Sequence, residues 1–241
     1  MSSPTDPPPT KTPLPSRWQR WAASVLSGLF LFACFPLINW NLLVWVAVAP
    51  LLVALSSEPS VKRGFWLGYC AGAIFLAGGC QWFVDVMELH GGLSPILAWG
   101  VLALFAMLFA IFFGTFGAVL TWAARRLRTR ALIPAPFLWV AGEIGRTYLF
   151  TGVPWNLLGY AVQASGMRRI ATVTAVYGLS FLAVTTSALL AWIWLEPRRM
   201  GPRLALLGWS MAMIGGNIAL APPPLAPGAR VRHKARGRRQ D

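Results

Sequence analysis

Acidic residues are scarce in this chain. Seven Asp and Glu stand among 241 residues, and charged side chains of both signs make up only 12%. Soluble domains carry roughly 25% charged residues to cover their cores, so a soluble globular fold of this composition is excluded. Lysine is rarer still, with Lys11, Lys62 and Lys234 alone. Cysteine is limited to Cys34, Cys70 and Cys80. Each lies in an apolar stretch with no CxxC spacing and no neighbouring His, which argues against a metal centre and for small buried apolar residues. No internal repeat is evident, and nothing in the pattern calls for a cofactor.

What is abundant is apolar: 56% of the residues are hydrophobic, with 13 Trp and 14 Phe. They gather in runs at about 21–38, 41–56, 65–84, 95–123, 132–150, 172–195 and 204–221. A bilayer core of ~30 Å needs about 20 apolar residues at 1.5 Å each, and each run is of that order. The fourth is longer and should tilt or protrude. The expected fold is therefore an all-α membrane protein, a polytopic bundle of about seven transmembrane helices. The expected domains are a disordered Pro/Ser/Thr-rich leader at 1–16, a transmembrane helical domain at 17–221, and a Pro/Arg-rich basic tail at 222–241. Arg17 and Arg20 before the first run also suit a signal peptide, and Leu31-Phe32-Ala33-Cys34 a weak lipoprotein-processing box. Phe32 fits that box poorly and further spans follow, so an uncleaved first helix is the preferred reading.

The net charge of +14 suggests nucleic acid only if it is spread over a folded surface, and it is clustered. Residues 228–241 carry +5 of it, and the rest falls between apolar runs. With the N-terminus inside, the leader and segments 57–64, 124–131 and 196–203 hold twelve Lys and Arg. The opposite loops hold two, Arg168 and Arg169. That bias is the positive-inside pattern; it predicts a cytoplasmic N-terminus and, after seven spans, an external C-terminus. The basic tail then falls on the external face, against the same rule.

Few residues carry chemistry. Gly64, Gly68 and Gly72 make a small-residue stripe for close helix packing in lipid. Glu143 and Arg146 share one face of the fifth run, where an isolated charge costs at least about 2.5 kcal/mol. They are expected to pair with each other or to face a polar cavity, Arg146 then holding a lipid phosphate or orienting the loop that follows. That loop is Phe150-Thr151-Gly152-Val153-Pro154-Trp155-Asn156-Leu157-Leu158-Gly159-Tyr160. Gly152 and Pro154 break the helix, while Trp155 and Tyr160 favour the membrane boundary. Irregular backbone at this depth must be covered by protein or line a cavity, so 150–160 reads as an interfacial broken loop. Asp85, Glu88 and His90 could do acid/base work, but read better as a solvated loop.

The stretch Trp139-x-x-x-Glu143-x-x-Arg146 followed by that loop resembles the signature of apolipoprotein N-acyltransferase. Phe35-Pro36, the segment from Trp45 to Leu52, Gly64-Phe65 through Gly72 with Trp82, and Val176-Tyr177-Gly178-Leu179-Ser180-Phe181 extend the likeness over about 20–221. The resemblance implies a multi-pass protein of the bacterial inner membrane. It implies acyl transfer from a phospholipid to the α-amino group of a lipoprotein's S-diacylglyceryl cysteine. Seven helices leading to a periplasmic nitrilase-like domain, closed by an eighth helix, are implied too. On this reading Glu143, Arg146, Thr151, Pro154, Trp155 and Tyr160 shape a lipid and substrate cavity. The family's Glu-Lys-Cys triad, with Cys as nucleophile, belongs to the nitrilase-like domain. None of the three lysines is placed to join such a triad, so no catalytic residue is assigned. Residues 222–241 read as sequence from a frameshifted or prematurely ended gene, or as the end of a split protein whose soluble half is a separately encoded partner. A small transporter and a non-catalytic membrane scaffold remain as alternatives.

Overall fold

The computed structural model describes residues 14–149 and 152–220, and among them every regular element is helical. The leader up to residue 13, the tail from 221 and Thr151 lie outside the described residues. Helix α1 spans Arg17–Ala33. Ser16 starts it with a capping box: its hydroxyl accepts from the Gln19 N–H while the Gln19 side chain accepts from the Ser16 N–H. The helix stops five residues before the apolar run does, because Pro36 cannot extend it.

The run at 41–56 is not one straight helix. A 3₁₀ segment, Asn41–Trp45, gives way to α2, Ala49–Ser56, with a break at 46–48. The freed groups find partners elsewhere: the Ser187 hydroxyl donates to the Trp45 carbonyl at 3.1 Å, and the Leu51 N–H donates to Ser27 Oγ at 2.9 Å. Helices α3 (Val61–Gly79) and α4 (Trp82–Leu89) follow, bent by 49°. Asp85 and Glu88 thus sit on a helix rather than in a loop, and His90 caps it. Helix α5, Pro95–Leu127, is the longest element. Then come α6 (Ala135–Tyr148), the short α7 (Leu158–Val162), α8 (Ala171–Leu195) and α9 (Met200–Ala219).

Among the described residues, two helical stretches are long and apolar enough to cross a bilayer, Pro95–Leu132 and Arg168–Leu195. The bent pair α3–α4 makes a third if taken as one broken span. The count of seven exceeds this, for local reasons: α1 has 17 residues and α6 has 14, 41–56 is broken, and Arg203, Ser210 and Asn217 interrupt the apolar run of α9.

The core forms where α3 lies against α5, flanked by α1, α2 and α8. The glycine stripe makes that approach feasible: a Cβ at Gly68 would strike the Phe113 carbonyl, and one at Gly64 the Thr121 side chain. Small hydroxyls tie the bundle across helices, with Ser24 donating to the Leu67 carbonyl at 2.5 Å and Thr121 to the Leu55 carbonyl at 3.2 Å. Outward faces are apolar, as on α5 with Ile96, Leu97, Leu104 and Met107 exposed. Such a surface is stable against lipid and is a liability in water.

Candidate functional site

The inner face of helix α6 carries Trp139, Glu143 and Arg146, spaced by four and three residues so that all three point the same way. All three are buried, Glu143 at 5% exposure and Arg146 at 1%. Trp139 wedges edge-on between Phe113 and Phe116 of α5, at 5.4 and 5.3 Å between ring centroids. Its indole N–H donates to Glu143 Oε1 at 3.1 Å. The guanidinium carbon of Arg146 stands 5.8 Å over the Phe113 ring.

The chain then runs irregularly through 152–157 before entering α7. Each unpaired backbone group in such a segment costs about 1–3 kcal/mol when buried. Glu143 and Arg146 supply much of the pairing. The Leu158 N–H, at the entry to α7, donates to Glu143 Oε1 at 2.8 Å. Arg146 Nη2 donates to the Asn156 carbonyl at 3.3 Å, and the Val153 N–H donates to the Arg146 carbonyl at 2.9 Å. Gly159 N–H donates to Ser180 Oγ on α8 at 2.8 Å. The two charged residues therefore do not close on each other; among the described residues the ion pairs are Arg20–Glu58, Arg63–Glu58 and Arg199–Glu196. Each instead clamps the loop. Arg146 is 1% exposed, and its Nη2 is turned to the loop's Asn156 carbonyl.

Two backbone positions explain residue choices. Gly152 has φ +86°, a left-handed conformation that favours glycine. Gly159 lies so close to α8 that a Cβ would strike the Val176 carbonyl. Asn156 also has a positive φ of 53°, which asparagine tolerates better than most residues. Its side-chain amide donates to Cys80 Sγ at 3.3 Å, tying the loop to the end of α3.

The six sequence-derived candidates divide as follows. Glu143 and Arg146 lie beneath the loop; Pro154 is exposed on it; Trp155 and Tyr160 are part-exposed. Trp155 leaves 37% of its surface free and packs the rest against Trp82 (5.3 Å), Phe83 (4.9 Å) and Phe105 (6.2 Å). Thr151 lies outside the described residues. Trp139, Asn156 and Ser180, which the sequence reading quoted within its motifs but did not single out as site residues, join the site as well. Beside the loop opens a cavity of about 360 Å³ whose lining includes Phe32, Phe35, Trp82, Asp85, Trp99 and Asn156. Among the described residues no group of three or more His, Cys, Asp or Glu is placed to hold a metal.

Long apolar helices and a broken segment clamped from beneath by a buried carboxylate and guanidinium define an α-helical membrane protein with a structured broken loop. The apolipoprotein N-acyltransferase N-terminal domain family matches this chain over residues 27–189, and the chain belongs to that family. Its relatives include the apolipoprotein N-acyltransferase of Geobacter metallireducens, 37% identical over 171 residues, which are 69% of this chain and 32% of the relative. That of Methylococcus capsulatus is 33% identical over 184 residues, 72% of this chain and 35% of the relative. A third, from Pseudomonas putida, is 30% identical over 190 residues, 76% of this chain and 36% of the relative. The chain thus spans about a third of the length of the relatives it matches.

Proposed function

We propose that this chain is the membrane half of an apolipoprotein N-acyltransferase. It crosses the bacterial inner membrane about seven times, with its N-terminus cytoplasmic and its C-terminus periplasmic. It provides a lipid-facing cavity where a phospholipid acyl donor and a lipoprotein's diacylglyceryl cysteine are brought together. The covalent steps belong to a nitrilase-like domain, joined in cis or encoded separately. The observation that carries the reading is the clamped loop 152–160 beside the 360 Å³ cavity. A loop held open at a bundle edge, with aromatic rings facing outward, suits a long amphipathic substrate. Glu143 and Arg146 fix its shape, while Pro154, Trp155 and Tyr160 form its exposed rim.

The orientation is supported by where the basic segments meet. Arg20 and Arg63 share the buried Glu58 at 2.9 and 2.7 Å, joining the first two basic segments. Thr129 donates to Glu196 at 2.7 Å, joining the other two. Such grouping agrees with one positively charged, cytoplasmic face.

The test is acyl transfer to a diacylglyceryl peptide in phospholipid nanodiscs, with and without the isolated nitrilase-like domain of a relative. Transfer is expected only when both parts are present, and transfer by this chain alone would overturn the division of labour. Trp155→Ala deletes three ring contacts worth about 0.5–1.5 kcal/mol each, so kcat/KM in the combined system should fall about tenfold or more. An unchanged kcat/KM would sink the role given to the loop.

A further inference from the structure

Between α5 and α6 lies a small cavity of about 20 Å³, lined by Phe112, Phe113, Phe116, Trp139, Gly142, Glu143 and Arg146. Its polar atoms are unusual. Glu143 Oε1 and Arg146 Nη2 serve the loop, but Glu143 Oε2 and Arg146 Nη1 are buried and make no hydrogen bond among the described residues. Both side chains are more than nine-tenths buried, and both border the same space.

The geometry points to a binding site for a single water molecule, held between Glu143 Oε2 and Arg146 Nη1. Size suits it, since the space is about 20 Å³ and one water needs about 10–15 Å³ by this measure. Chemistry selects it as well. The occupant must donate to a carboxylate oxygen and accept from a guanidinium N–H, and water does both at once. A metal cation would meet the Arg146 charge, and a halide the Glu143 charge. The remaining walls are aromatic rings and Gly142, so they offer a second ligand nothing to bind. The two charges then form a water-separated ion pair, with each residue's other polar atom free to hold the loop. This explains how they sit on one face, three residues apart, without closing into direct contact.

The site is tested on the full chain in lipid nanodiscs by determining the structure at a resolution that shows ordered water. One peak within hydrogen-bond distance of both atoms is expected. A direct Glu143–Arg146 contact, an ion, or a lipid chain in that space would overturn the assignment. An independent reading comes from water-to-nitrogen magnetisation transfer in protein labelled at arginine. Arg146 should receive transfer from a water that exchanges slowly with bulk, whereas exposed Arg17 should see bulk water alone. Identical behaviour of the two would refute the site. Gly142 lines the cavity, and a Cβ there meets no atom within 4 Å. Gly142→Leu should therefore fill the space and abolish the slow-water signal at Arg146. Persistence of that signal in the folded variant would also count against the site.

Discussion

Replacing Glu143 separates two ways in which it could hold the loop. In the native chain Oε1 accepts from the Leu158 N–H at 2.8 Å and the Trp139 indole N–H at 3.1 Å. A hydrogen bond to a charged acceptor contributes about 1.5–3 kcal/mol. Glu143→Leu removes the acceptor, and the Leu158 amide regains a partner only when the loop opens to water. At 1.4 kcal/mol per tenfold, its protection against hydrogen exchange should fall by about 10- to 150-fold. Glu143→Gln keeps an oxygen in nearly the same place but makes it neutral, so about 1 kcal/mol should be lost, roughly fivefold. Amide exchange followed by mass spectrometry over a peptide covering 157–162, with a peptide inside α5 as control, measures both. Equal protection in wild type and Glu143→Leu would refute the clamp. Equal loss in both variants would show that charge opposite Arg146, rather than acceptor geometry, governs the loop.

Three other expectations follow from the same contacts. Gly68→Ala drives a methyl into the Phe113 carbonyl and should cost about 1–3 kcal/mol by overpacking; Gly100→Ala, with open space around it, should be silent in the same thermal unfolding series. Glu58→Gln leaves Arg20 and Arg63 without their shared carboxylate, so exchange should rise in 57–63 and in the first turn of α1, and no change there would remove the clasp from the account. Burial acts to raise the pKa of Glu196, but hydrogen bonds from Thr129 and Trp192 and the Arg199 charge outweigh it and hold the carboxyl below its ordinary 4.5. Its contribution is then fully present above pH 4.5 and is lost as pH falls through the depressed folded value; Glu196→Gln should flatten the acid dependence of local stability at the α8–α9 junction, and an unaltered acid limb would count against it.

The loop was legible in the sequence because its signals are local. Gly152 and Pro154 interrupt an apolar run whatever packs around them, and a broken loop within 150–160 agrees with the irregular 152–157. The stripe of Gly64 and Gly68 was legible for the same reason, since a four-residue spacing fixes one helical face. The break in 41–56 was harder to read. Its hydropathy is unbroken; the break persists because Ser187, 142 positions from Trp45, takes up the freed carbonyl. No window along the chain contains that partner. The helix at 82–89 was likewise hidden by its polar residues, although its apolar face packs on α5 through contacts such as Phe83 on Phe105 at 5.1 Å.

The amino-acid sequence by itself determined the solvent and the family. Scarce charge and long apolar runs are sums over short stretches, and lipid partitioning responds to such sums. Only the tertiary structure decided what Glu143 and Arg146 do. Their spacing allowed a direct pair, yet the path of the chain brings the Leu158 N–H and the Asn156 carbonyl to them first. A buried backbone group without a partner is costly, and these side chains are the donor and acceptor within reach, so the charges are committed to holding the loop.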